Sequence, residues 1–155
     1  MMAPRYQTLQ KVVSPKRHVQ LLLPHTAVQF DTPNSASRPA LEQFVSRCFH
    51  DAFNAEIQGH LPYFLSAYND DKLAATLGFQ PVQKTKSIFL EQYLDTTIEQ
   101  TISLASNLAV SRTHVVELGN LSSERKGFSE VLFILIAAIL HQAGYHWVVF
   151  TATQQ

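Results

Sequence analysis

The clearest hydrophobic pattern along the chain is helical. Leu41, Phe44, Val45, Cys48, Phe49, Ala52 and Phe53 recur at i, i+3 and i+4, which predicts an amphipathic helix with one buried stripe. Ser37 stands where a side-chain cap belongs, and Pro39 suits a first turn. Cys48 lies on the stripe, so it reads as a core thiol rather than a nucleophile. Upstream, residues 1–18 show no period and are expected to be poorly ordered. Residues 19–23 and 27–30 form a first strand region interrupted by Pro24, and residues 32–37 form a loop. Downstream, residues 63–68 and 72–79 read as a hairpin. Asn69, Asp70 and Asp71 are turn residues, and the linker is too short for a parallel crossover. Gly78 suggests a bulge or strand exit ahead of Pro81.

Residues 87–95 fit a helix or an extended segment equally well. Thr96, Thr97, Ile98 and Glu99 then take the form of a capping box, opening a helix that turns Ile98, Ile102 and Ala105 inward. The last unit is the best defined. A short strand over 113–118 is broken by Gly119 and Asn120, and Ser122 or Ser123 is placed to cap a helix over 128–143. Gly144 is a natural helix stop, and the fully apolar residues 147–150 read as a strand buried on both faces, reached by a parallel crossover.

Composition narrows the class. The chain has 155 residues, 46% of them hydrophobic, which suits one domain with a real core. Twelve basic residues balance twelve acidic ones, so no overall field recruits nucleic acid or an anionic membrane. The N-terminal cluster of Arg5, Lys11, Lys16 and Arg17 reads as a solvated tail. One cysteine excludes an internal disulfide framework. The longest apolar run, residues 131–140, makes about 15 Å of helix, roughly half a bilayer core, which favours a buried helix over a span. With no secretory signal in view, a cytoplasmic protein is expected. The seven histidines form no metal-ligand pattern, so no metal is expected.

Three blocks carry a resemblance. Residues 89–94 (FLEQYL), 116–121 (VELGNL) and 147–153 (WVVFTAT) resemble, in order and spacing, the signature blocks of the thermostable hemolysin family, over roughly residues 20–155. That family is similar in layout to the N-acyltransferases of GNAT type and to the acyl-homoserine lactone synthases. The resemblance implies an α/β (α+β) fold, a GNAT-like mixed sheet flanked by helices, over residues 19–155. It also implies a thioester site where the last two strands diverge. Such folds continue with a further helix and two strands, so the domain is expected to be incomplete after its fifth strand, with a sheet edge open to edge-to-edge self-association.

The implied chemistry is transfer of an acyl group from acyl-CoA, or from an acyl carrier protein thioester, to a small-molecule acceptor. Phosphates call for loop amides and a helix N-terminus. Leu118, Asn120, Arg125, Lys126, Gly127 and Ser129 occupy that position. The superfamily loop has Arg or Gln, two residues, Gly, one residue, then Gly or Ala. Here Gly127 is kept, Ser129 takes the second small position, and Glu124 stands where the Arg or Gln belongs. Glu117 falls at the place of a general base, with a structural carboxylate as the alternative; Asn120 replaces the Arg that the lactone synthases carry three residues after that Glu. Glu91, Gln92 and Tyr93 either line the acceptor cleft or form a surface turn. Two readings compete with the enzyme: a membrane-active hemolysin in contact with lipid, and a truncated chain without activity.

Overall fold

The computed structural model describes residues 25–151. Two predicted features, the poorly ordered residues 1–18 and the strand over 19–23, lie outside them. Among the described residues, five strands form one sheet in the order β1-β2-β3-β4-β5, the order of the chain. They are β1 (Thr26–Asp31), β2 (Tyr63–Asn69), β3 (Lys72–Pro81), β4 (Val115–Ser123) and β5 (Trp147–Phe150). The first four pair antiparallel, and β5 joins β4 in parallel. Helix α1 (Arg38–Phe53) follows β1, α2 (Ile98–Ser106) precedes β4, and α3 (Phe128–Gln142) makes the crossover to β5. This is the mixed, helix-flanked sheet that the resemblance implies.

Alternation along the strands sorts the core into two layers. Leu65, Ala67, Ala75, Leu77, Phe79, Val116 and Leu118 face α3, which lays Phe128, Leu132, Ile136 and Leu140 on them at every fourth residue. The opposite face carries Phe64 under Leu41 and Val45 of α1, and Val115 beneath Val82, Ile88, Ile98 and Ile102. Burying a side chain of this size contributes about 1.5–3 kcal/mol.

Asp70 (φ 48°) and Asp71 (φ 60°) are both left-handed between the partners Asn69 and Lys72, the geometry of a type I′ hairpin turn. Helix α3 stops in a Schellman motif. Tyr145 N–H donates to Leu140 O at 3.0 Å, Gly144 N–H donates to His141 O at 3.1 Å, and Gly144 has φ +85°.

Several expectations are corrected. Gly119 and Asn120 do not end β4. Pairing slips between Thr76↔Ser122 and Gly78↔Gly119, so Asn120 and Leu121 together oppose Leu77 in a bulge. Ser122 and Ser123 stay in β4, and Gly127 takes the N-cap of α3 with no side-chain cap. Ser37 turns its hydroxyl to Asp31 instead of capping α1, because a buried carboxylate needs a donor more than an exposed helix end does. Thr97 likewise makes no side-chain cap for α2. Ala52, Phe53 and Ala105 are exposed, since both helices run past the edge of the surface they cover. β5 is covered on one face only; Val148 is 41% and Phe150 55% exposed on the face shared with α3. Residues Phe89–Tyr93 are neither α-helix nor strand but a 3-10 turn.

Candidate functional site

The bulge and the crossover bring six of the predicted residues to one end of the sheet. Among the described residues, β5 pairs with β4 from Val115↔Trp147 to Leu118↔Phe150, and β4 runs on to Ser123 past that last pairing at Leu118. Leu118 is buried at the point of divergence. Asn120, half-buried, is left-handed (φ 50°), and its side chain turns to the loop over residues 54–62. Its Oδ1 accepts from Leu61 N–H at 2.8 Å, and its Nδ2 donates to Gly59 O at 3.5 Å. The bulge thereby holds the loop over residues 54–62. Gly78 and Gly119 allow the approach: a Cβ on Gly78 would meet Asn120 Oδ1 at 3.1 Å, and one on Gly119 would meet Leu61 Cδ1 at 3.1 Å.

After β4 the chain turns sharply into α3. Glu124 N–H donates to Ala74 O at 3.0 Å, and Ser123 Oγ donates to Arg125 O at 2.8 Å. Gly127, at φ +89°, starts the helix. No side chain caps the first turn of α3, where Ser129 sits; Phe128 N–H donates to Arg125 O at 3.4 Å, and Glu130 adds an acid to the turn. Arg125 and Lys126 are exposed beside it, Arg125 lying 5.9 Å over the Phe128 ring. Glu124 does not face that turn freely: Arg47 of α1 donates to it at 2.6 Å. That bond raises the affinity of Arg47 for its proton.

Glu117 stands on the opposite face of β4, 3% exposed. Its Oε2 accepts from Gln80 Nε2 at 2.7 Å, and Oε1 accepts from Leu90 N–H at 3.1 Å. The Phe89–Tyr93 turn thus lies directly on the strand that carries Glu117. Glu91, on that turn, does not open toward a cleft. Arg112 Nη1 donates to it at 2.6 Å and to Glu99 at 2.8 Å, and Glu91 accepts from Ile98 N–H at 2.9 Å and from Ile88 N–H at 3.0 Å. The Arg112 guanidinium holds the Glu91 carboxyl at a pKa of about 2. Gln92 and Tyr93 are exposed, and Phe89 meets Tyr93 edge to face at 5.4 Å.

Gln80, Arg112, Arg38 and Arg47 were invisible as site-builders in the sequence. Arg38 donates to Leu61 O at 2.7 Å and Pro62 O at 2.8 Å while lying 4.6 Å over Phe64, so it fixes the loop that Asn120 also holds. These contacts join residues far apart in the chain, and no spacing rule reports them.

Comparison with solved structures gives the fold. The AHL synthase LasI superposes with a TM-score of 0.54 at 14% identity, covering 81% of this chain and 71% of that one. A GNAT family acetyltransferase from Brucella melitensis, solved in complex with acetyl-CoA, gives 0.55 at 15% identity, covering 83% and 77%. A putative acetyltransferase from Pyrococcus horikoshii gives 0.55 at 8% identity, covering 83% and 81%. At these identities the likeness is one of fold. No curated protein matches the sequence. The sequence model of thermostable hemolysins matches residues 31–155, and the chain belongs to the thermostable hemolysin family.

Proposed function

We propose that this protein transfers an acyl group from a CoA or carrier-protein thioester to the amine of a small acceptor. The observation that carries the reading is the start of α3 at Gly127, which no side chain caps, with Arg125 and Lys126 exposed beside it and without acidic partners among the described residues. An extended amide-containing arm can pair with a strand edge, and β4 runs on past its last described pairing with β5. Phosphate suits the turn at Gly127 and Ser129, with Arg125 and Lys126 at its rim. The Brucella neighbour was solved with acetyl-CoA, which supports a thioester of that class. The acceptor enters from the other face of β4, along the Phe89–Tyr93 turn, where Gln92 and Tyr93 are exposed. Glu117 serves that side either as acceptor of the amine proton or as anchor of the turn.

The test is calorimetric titration with acetyl-CoA and with S-acetylpantetheine. Binding of acetyl-CoA at a hundredfold excess over Kd would stabilise the fold by about 2.7 kcal/mol, a shift read directly in thermal melting. R125A/K126A should weaken acetyl-CoA and leave S-acetylpantetheine unchanged. If the two thioesters bind equally well to the native chain, a carrier protein is the donor. No binding of either sinks the proposal.

Direct action on membranes has one observation behind it. Phe133, Ile134 and Ile139 of α3, with Val148 and Phe150 of β5, are exposed on one side of the sheet. No helix among the described residues is long and apolar enough to cross a membrane. Dye leakage from liposomes at micromolar protein, without any thioester, would favour this reading instead.

A further inference from the structure

A general base needs a lone pair within hydrogen-bond reach of the proton it takes, directly or through one water. Glu117 shows the opposite arrangement. Its carboxylate is 3% exposed and accepts from a side-chain amide on one oxygen and from the Leu90 backbone on the other. Both oxygens are already engaged, one of them by a backbone N–H of the protein itself.

Lifting that N–H away means lifting the turn, and the turn is held a second time. Glu91 caps it by accepting from Ile88 N–H, reaches on to Ile98 N–H at the start of α2, and is pinned by Arg112. Two carboxylates therefore hold the start of the turn, Glu91 through the Ile88 amide and Glu117, from β4, through the Leu90 amide. The solvent side carries Phe89, 51% exposed, and Tyr93, 66% exposed, in fixed edge-to-face contact. Apolar rings kept in water on a rigid support cost stability unless something else meets them.

We propose that Glu117 is a positioning residue: it anchors the Phe89–Tyr93 turn to β4 as a preformed wall of the acceptor site, and does not take the acceptor's proton. The wall rests on the acyl-transfer reading; the anchor does not. In the reaction the neutral amine attacks the thioester carbonyl carbon and the C–S bond breaks. The nitrogen proton passes to solvent water, and the leaving thiolate is protonated from water.

The experiment compares the full chain with E117Q and E117A. Gln keeps an acceptor for Leu90 N–H and an amide that pairs with Gln80, so it preserves the anchor while removing the base. Hydrogen exchange at the Leu90 amide should stay within about threefold of the parent in E117Q and rise more than about tenfold in E117A. Thiol release from acetyl-CoA with butylamine or ethanolamine should keep its rate and pH profile in E117Q. In E117A the loss should fall on KM more than on kcat. Unchanged Leu90 exchange in E117A overturns the anchor. A fall of about 100-fold or more in kcat for E117Q, with Leu90 still protected, overturns it in favour of the base. If E117A does not fold, E117D keeps the acid but withdraws it by one methylene and should show the same loss of protection. A parent chain that releases no thiol sinks the acyl-transfer reading for these amines, while Leu90 exchange still decides the anchor.

Discussion

Arg112 shows how much one side chain can hold together. It meets Glu91 and Glu99 in a half-buried cluster and donates as well to the carbonyls of Thr85 and Lys86. The sign of its effect on stability follows from Glu91, whose carboxyl drops from 4.5 to about 2 on folding. As pH falls from 4.5 toward 2 the unfolded chain binds a proton that the folded chain refuses. The contribution is complete above pH 4.5 and is lost through that window, at most about 3 kcal/mol. Urea denaturation at neutral pH and at pH 3 should show the loss. R112Q should be destabilised by about 2–3 kcal/mol at neutral pH, because it strands a carboxylate, and should respond less to acid. None of this was legible in the sequence. Glu91 appeared as a residue interrupting an apolar run, and its partner lies 21 residues away, beyond α2. What the family resemblance did mark was the acid at Glu117, within the block over residues 116–121.

At the scale of elements, the β4 bulge explains the largest misreading. Gly-Asn looked like a break because both residues disfavour strands. The strand instead absorbs them by placing Asn120 in the left-handed region, which Asn tolerates better than most residues, and continuing. The same side chain then holds the loop over residues 54–62. Two substitutions separate backbone from side chain. N120A removes the bond and strains the backbone; N120G removes only the bond. N120A should be less stable than N120G by about 1–2 kcal/mol in chemical denaturation. Both should expose residues 54–62 to limited proteolysis. The helices and the hairpin were easier to read, since periodicity and turn chemistry are local. Their ends were not, because capping here depends on distant partners such as Asp31 and the Gly127 backbone.

For the whole molecule, zero net charge excluded a global field but concealed a local one. Arg47 pairs with Glu124, which leaves Arg125 and Lys126 against the acid Glu130 at the mouth of α3. The affinity for acetyl-CoA should therefore fall severalfold as salt rises from about 0.05 to 0.3 M, by titration, and R125A/K126A should flatten that dependence. The family's fold was legible from three short blocks and the terminal strand-helix-strand unit. The site's inner face was not, because it is assembled from Gln80, Leu90 and Glu117, residues brought together only by strand register and a 3-10 turn.

The sheet's strand order has a consequence for biogenesis. Because β1 to β5 lie side by side in the order in which they are synthesised, no strand must be inserted between two already paired. On the ribosome, each strand that emerges finds its neighbour waiting at the sheet's growing edge. The β2–β3 hairpin, closed by its two aspartates, is the local template, and β4 and β5 extend it one edge at a time. A chain assembled this way never has to unpair what it has made in order to finish.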